Sequence, residues 1–267
     1  MRASAVSERV TPSIRTGRDH PTTIVLSMHK GASTFISADL APRVCRVFKG
    51  LEHLEIGSLV NRGSSYEELA LPSCGVFASR VYPDLIGNLI EDPEPLGGRF
   101  GDKKLVVLRR DPRDAIVSLY YSVAYSHDPR NVRRPEQWLR LREQLRADGL
   151  RDGIKRLVNR APIKEFKAIS SFVRQRPESL VTNYETLVLE FDAWLDALAD
   201  HLGWDTTQLD RVRDGLSESV RPPERERPEE HKRRVRPGNW RDVFDDELEG
   251  VFRDRVGREL EEAGYTW

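Results

Sequence analysis

The chain has 267 residues, with 43 basic and 43 acidic side chains and a formal net charge of zero. That balance excludes a global field drawing it to nucleic acid or an anionic membrane, so any anion site must be local. With 38% hydrophobic and 32% charged residues, and no apolar run near the roughly 20 residues of a membrane span, it reads as a globular protein with one large α/β domain.

Residues 1–21 are polar and carry Arg2, Arg15 and Arg18 without the apolar stretch of a secretory signal, so they read as a disordered leader. Ile24-Val25-Leu26 is a short apolar run suited to a buried strand. Small residues and one lysine follow it, in Ser27-Met28-His29-Lys30-Gly31-Ala32-Ser33-Thr34-Phe35, and helical spacing then takes over through Ile36, Leu40, Val44, Val47 and Phe48. Strand, loop and helix start make a phosphate site on chemical grounds alone. The first N–H groups of a helix lack partners and carry the positive end of its dipole. Lys30 adds a full charge, Ser33 and Thr34 add hydroxyls, and Gly31 and Ala32 allow close approach to the backbone. This is no Walker A loop, because the lysine precedes the small residues and no glycine lies upstream. Pro42 is expected to kink or restart the helix, and Gly50 to close it.

Further strands are expected at 54–56, 74–78, 104–108 and 179–182, the clearest being Leu105-Val106-Val107-Leu108, apolar on both faces like a central parallel strand. Ser79-Arg80-Val81-Tyr82-Pro83-Asp84 reads as a polar exit from its strand. Asp111 is a natural N-cap before Pro112, opening a helix that runs to about Tyr125. Residues 135–176 read as two or three helices with Trp138, Leu139, Leu145, Ile154, Leu157, Phe166, Ile169 and Phe172 buried, and 191–202 as an amphipathic helix closed by Gly203. Residues 221–237 form a proline-broken charged run expected to be a mobile lid over an anionic ligand. Trp240 should anchor the returning chain, residues 248–260 form a last helix, and Gly264-Tyr265-Thr266-Trp267 should dock. The two cysteines, Cys45 and Cys74, make neither a disulfide framework nor a metal-ligand pattern, which fits a cytoplasmic protein with no metal.

Alternating strands and helices describe a three-layer α/β/α fold around a mostly parallel sheet of about five strands. Ligands of such sheets bind at the strand C-terminal ends, where Lys30, Arg80, Arg110 and Tyr184 should converge.

Four segments together resemble the sulfotransferases that use 3′-phosphoadenosine 5′-phosphosulfate (PAPS). His29-Lys30-Gly31-Ala32-Ser33-Thr34-Phe35 is similar to that family's 5′-phosphosulfate loop, with Lys30, Ser33, Thr34 and Phe35 on its lysine, hydroxyls and adenine-stacking aromatic. Arg110-Asp111-Pro112-Arg113-Asp114 with Ser118 resembles its 3′-phosphate segment, in which Arg110 and Ser118 hold the phosphate. Tyr184-Glu185 resembles the segment that touches the adenine, although Thr186 stands where the family has Asp. Arg233-Arg234 with Gly238-Asn239-Trp240 resembles the late cofactor lid, with Val235 and Asn239 in place of the family's glycine and aspartate. The resemblance spans 22–267 as a single sulfotransferase domain, implies a P-loop-like fold, and by its divergence points to a bacterial branch.

The activity implied is transfer of a sulfuryl group from PAPS to a hydroxyl, less readily an amine, of a small or lipid-like acceptor, with release of adenosine 3′,5′-bisphosphate (PAP). Lys30 would stabilise the leaving phosphate. Cytosolic members take the acceptor proton with a histidine in a His-Leu-Pro segment, where this chain reads Val81-Tyr82-Pro83. His53, Asp84 and Glu55 are the candidate bases near strand ends. Two other readings stand beside this one, a non-catalytic PAP or PAPS sensor or scaffold and a divergent P-loop kinase.

Overall fold

A computed structural model describes residues 20–61, 71–82, 102–129, 134–221 and 235–267. Five strands, β1 (Thr23–Ser27), β2 (Glu52–Glu55), β3 (Val76–Val81), β4 (Lys104–Arg109) and β5 (Leu180–Asn183), form one sheet in the order β2-β3-β1-β4-β5. Every neighbouring pair is parallel. The centre falls to β1 and β4 because their runs are apolar at successive positions, and a strand buried on both faces requires that. Ile24 and Leu26 of β1, with Leu105 and Val107 of β4, face one helical layer, while Val25, Val106 and Leu108 face the other.

The helices are α1 (Ala41–Val47), α2 (Ile56–Asn61), α3 (Pro112–Tyr121), α4 (Pro135–Leu157), α5 (Ala161–Gln175), α6 (Tyr184–Leu189), α7 (Phe191–Leu202), α8 (Thr206–Val220) and α9 (Asp246–Glu262). One layer packs Leu40, Val44, Trp194, Leu198, Leu209 and Leu216 on the sheet, so it contains α1, α7 and α8. The opposite layer packs Ile116, Leu145, Phe166, Ile169, Phe252 and Leu260, from α3, α4, α5 and α9. This is the α/β/α arrangement expected from the alternation of elements.

Several local expectations change. Ser79, Arg80 and Val81 belong to β3 rather than to its exit. The register against β1 slips between Ile24 and Leu26, and Arg80 takes up the irregularity with φ 51°. β2 lies two residues earlier than predicted, at Glu52–Glu55, and Ile56 already opens α2. The phosphate-loop helix begins at Ser33 but widens into π-helical turns over Phe35–Leu40, with the Ala41 N–H reaching Ile36 O. Pro42 explains the widening, since it cannot donate back to the carbonyl four residues earlier and its ring crowds that oxygen. A second π-helical segment, Ser122–Ser126, extends α3.

α4 breaks at Gly149, where φ is 74° and ψ −176°, which turns the expected two or three middle helices into three segments counting α5. Leu139 is 43% exposed instead of buried. Helix α8 was not expected at all. Asp205 caps it through the Thr207 N–H, and its buried Leu209, Leu216 and Val220 are separated by charged residues that thin the apolar pattern. His20 and Pro21, which fall in the stretch expected to be leader, pack on the domain. His20 is buried edge-on against Phe48, Gly75 N–H donates to its carbonyl at 2.9 Å, and Pro21 bridges to Cys74.

Candidate active site

The chain leaves β1 through a tightly constrained turn. Gly31 N–H donates to Met28 O at 3.0 Å, and a Cβ on Gly31 would stand 2.9 Å from Met28 Cγ and 3.1 Å from Met28 O. A side chain there would force Met28 to shift. Lys30 and Ala32 on either side are held at φ 65° and 68°, a left-handed conformation that costs a side-chain-bearing residue about 1–2 kcal/mol. The first turn of the following helix stands directly behind this turn, and N–H groups at a helix start suit an anion.

Lys30 lies within this turn. Burial, reinforced by the charge of Arg110, lowers its pKa from 10.5 to about 8. Arg110 leaves the end of β4 and is 5% exposed, and its Nη1 donates to Lys30 O at 2.9 Å. Its guanidinium carbon sits 4.0 Å above the Tyr184 ring, and its buried Nε has no partner among the described residues. A phosphate would supply what both groups lack, a counter-charge for a crowded cation pair and an acceptor for the guanidinium fork.

The rest of the arginine segment is architectural. Asp111 caps α3 and grips Arg113 through two guanidinium nitrogens, at 2.9 Å to Nε and 2.7 Å to Nη2. Arg113 in turn stacks 3.8 Å over Trp240, lies 4.7 Å from Trp267, and donates to Thr266 O. Asp114 accepts the N–H groups of Gly238 and Trp240 at 2.6 and 2.9 Å. Burial raises its carboxyl pKa even though Arg110 and those two donors pull it down. Glu185 accepts from the Asp111 N–H and from the Tyr265 hydroxyl, at 3.1 and 3.0 Å. These bonds lock the returning chain and the docked tail to the strand end that presents Arg110.

A cavity of about 1750 Å³ runs along the C-terminal edge of the sheet. Lys30, Ala32, Ser33, Thr34, Phe35, Arg80, Arg110, Ser118 and Tyr184 all line it, and Gly31 lies buried beneath the loop. The predicted convergence of Lys30, Arg80, Arg110 and Tyr184 is therefore present. Arg80 ties the loop to β2, donating to Thr34 Oγ1 at 3.2 Å and pairing with Glu55 at 2.7 Å. Phe35 is largely buried, with its ring edge-on to Phe191 and Trp194 at centroid distances of 6.4 and 6.1 Å, so it serves the core as well as the cavity wall.

The candidate bases fare differently. His53 does not line the cavity; it sits on β2 with Nε2 2.8 Å from the buried Ser79 Oγ, and burial lowers its pKa. Glu55 is taken by Arg80. Asp84, Arg233 and Arg234 lie outside the described residues, as does most of the 221–237 segment, although Val235 reaches the cavity wall. Tyr82 lines the cavity, whereas Tyr121 and Tyr125 join Tyr120 in an aromatic cluster beside it.

Sequence reasoning passed over a pair beside the loop, His29 and Glu165. His29 lies one residue before Lys30, and its backbone N–H donates to Glu165 Oε2 at 2.6 Å while its Nδ1 meets Glu165 Oε1. Its ring stacks on Tyr82 with centroids 4.3 Å apart. The signal available was Glu165 itself, a carboxylate spaced with Pro162, Ile169 and Phe172 on the buried stripe of α5.

The parallel sheet, the glycine-built loop at the end of its central strand and the arginine from the next strand define an α/β enzyme class that binds a phosphorylated ligand at the strand ends. The family model described as the sulfotransferase domain matches residues 99–264, and the chain belongs to that family. It is an enzyme of the sulfotransferase type, which displaces the sensor and kinase readings. The matched span contains Arg110, Ser118, Tyr184 and the returning chain, and the phosphate loop precedes it. Among solved structures, the chain is similar to mouse sulfotransferase SULT7A1 complexed with PAP, with a TM-score of 0.54, 15% identity, and coverage of 92% of this chain and 85% of that one. It is also similar to retinol dehydratase in a complex with retinol and PAP, with a TM-score of 0.51, 15% identity, and coverage of 93% and 84%. At that identity the likeness concerns the fold. No curated protein sequence matches significantly.

Proposed function

We propose that the chain transfers a sulfuryl group from PAPS to a hydroxyl of a small or lipid-like acceptor and releases PAP. The observation that carries this reading is the shared cavity of Lys30, Ser33, Thr34, Arg110 and Ser118, drawn from two neighbouring central strands and the helices that follow them. Two anion sites on adjacent strand ends suit a nucleotide with phosphates at both its 5′ and 3′ positions. Arg110 and Ser118 would hold the 3′-phosphate. Lys30, the loop N–H groups and the hydroxyls of Ser33 and Thr34 would hold the 5′ end.

Charge develops on the 5′-phosphate as the sulfuryl group departs. Lys30 and the N–H groups at the helix start would stabilise that charge, and removing one such donor typically costs about 2.7–4 kcal/mol of barrier. Tyr184, beneath Arg110, would offer its ring edge to the adenine. The acceptor would enter from the wall built by Gly57, Val60, Tyr82 and Trp138. The fold's likeness to a PAP-bound sulfotransferase supports the choice of donor.

Calorimetric titration of PAP, beside ATP and AMP, into wild type and Ser118→Ala and Arg110→Lys variants tests the reading. Binding of PAP at least tenfold tighter than AMP, with that preference reduced in both variants, is the expected result. Equal binding of PAP and AMP, or no binding of PAP, would overturn the donor assignment.

A further inference from the structure

The chain lacks the histidine with which cytosolic relatives of this kind take the acceptor proton, yet its cavity is lined by another imidazole, that of His29. The geometry points to His29 as the general base that deprotonates the acceptor hydroxyl, with the buried Glu165 as its positioning residue. This assignment rests on the sulfuryl-transfer reading given above.

Glu165 is 2% exposed, so a carboxylate there must have both oxygens satisfied. One accepts the His29 backbone N–H at 2.6 Å and the other meets the ring Nδ1, so the two contacts fix both the main chain and the ring of one residue. A carboxylate that accepts from Nδ1 leaves Nε2 as the ring nitrogen able to take the acceptor proton. The imidazole side chain is 43% exposed and lines the cavity, and the Tyr82 ring stacked on it at 4.3 Å restricts its rotation. A carboxylate holding the far nitrogen of an imidazole also stabilises the cation formed when the near nitrogen takes a proton.

Position supports the same role. His29 immediately precedes Lys30, so one turn carries both the group facing the leaving oxygen and the group facing the acceptor. Glu165 belongs to the layer of α3, α4, α5 and α9, while Phe35 packs into the opposite layer with Phe191 and Trp194. His29 is thus drawn to the acceptor side of the loop. The charged and titratable groups around it are Lys30 in the loop, Tyr82 at the end of β3, Lys164 and Glu165 on α5, and His127 after the second π-helical segment.

In the proposed step the acceptor oxygen forms a bond to sulfur as its proton passes to His29 Nε2. The bond between sulfur and the 5′-phosphate oxygen breaks, and its electron pair leaves with that oxygen beside Lys30. The imidazolium, paired with Glu165, later returns its proton to solvent. No redox partner enters.

The test measures PAP release from PAPS with two acceptor probes, 2-phenylethanol, whose hydroxyl needs a base, and 4-nitrophenol, whose hydroxyl is already acidic. It compares wild type with His29→Gln, Glu165→Gln and His127→Gln, and calorimetry of PAP accompanies every variant. His29→Gln is expected to bind PAP within about twofold of wild type and to lose about 100-fold or more in kcat on the alcohol, the usual worth of a general base, but under about tenfold on the phenol. Glu165→Gln should show the same selectivity with a smaller loss and a shifted acidic limb of the pH–rate profile, which a merely structural role would not move. Equal losses on both probes, retained alcohol turnover in His29→Gln, or the selective loss appearing in His127→Gln instead would overturn the assignment. Wild type that binds PAP but transfers to neither probe would also overturn it, leaving the donor site standing. Wild type that fails to bind PAP would overturn the donor reading itself, and His29 with it.

Discussion

The affinity of this protein for PAP should fall as pH rises through about 8, the value to which burial and the neighbouring Arg110 lower the Lys30 ammonium from its ordinary 10.5. A bound phosphate opposes that shift, because an opposite charge at close range favours the protonated amine. Binding therefore takes up a proton wherever the free protein has lost it. One unit above the free-state value, near pH 9, about a tenth of the sites are still protonated, and affinity should drop about tenfold, or ~1.4 kcal/mol. The ligand's own phosphates titrate near pH 6, so the window to examine runs from about pH 7 to 9.5. Calorimetry in two buffers of different ionisation enthalpy reads both the affinity and the proton uptake, which should approach one per PAP near the upper end. Lys30→Met should bind weakly and without the slope, and Lys30→Arg should hold its affinity across the window. The sign for stability is opposite. In the free protein the folded value lies below the unfolded one, so the unfolded chain binds more protons between about 8 and 10.5 and the fold gains stability as pH rises through that range. Equal pH slopes in wild type and Lys30→Met, or no proton uptake, would refute the placement of Lys30 against the phosphate.

Two further substitutions test the scaffold of the site. Gly31→Ala forces a Cβ to within 2.9 Å of Met28 Cγ and 3.1 Å of a backbone oxygen; it should destabilise by about 1–3 kcal/mol in thermal unfolding and weaken PAP binding, and unchanged values of both would contradict the turn described. Asp114→Asn removes the charged acceptor of the Gly238 and Trp240 N–H groups; urea unfolding should show a loss of about 1–3 kcal/mol at unchanged m, and a neutral result would mean that the returning chain is held elsewhere.

The layered fold was legible because β1 and β4 are written as unbroken apolar runs and each is followed at once by a polar turn and a helix. What the sequence reading missed follows from weaker local signals. Helix α8 hides because charged residues separate Leu209, Val212, Leu216 and Val220, so its spacing is correct but sparse. The continuation of β3 through Ser79-Arg80-Val81 reads as polar, yet Ser79 is fully buried as an acceptor or donor for His53, and Arg80 is turned aside by a bulge. In the β3 case tertiary partners satisfy groups that a local reading places in solvent.

The residues proposed for the donor half of the site are grouped locally in the chain. A turn of small residues with one lysine, and an arginine followed by a helix cap, each fall within a dozen residues and suit a phosphate by their chemistry. The pair proposed as the acceptor base has no such local grouping. His29 and Glu165 are 136 positions apart and meet only because α5 packs beneath the phosphate loop. A titratable group near a strand end points to His53, which the structure gives to Ser79. The informative residue was the carboxylate. Glu165 lies on the same helical stripe as Ile169 and Phe172, where burial without a partner would cost several kcal/mol. A charge written onto the apolar face of a helix predicts a partner from another element, and here that partner is the residue beside the loop lysine.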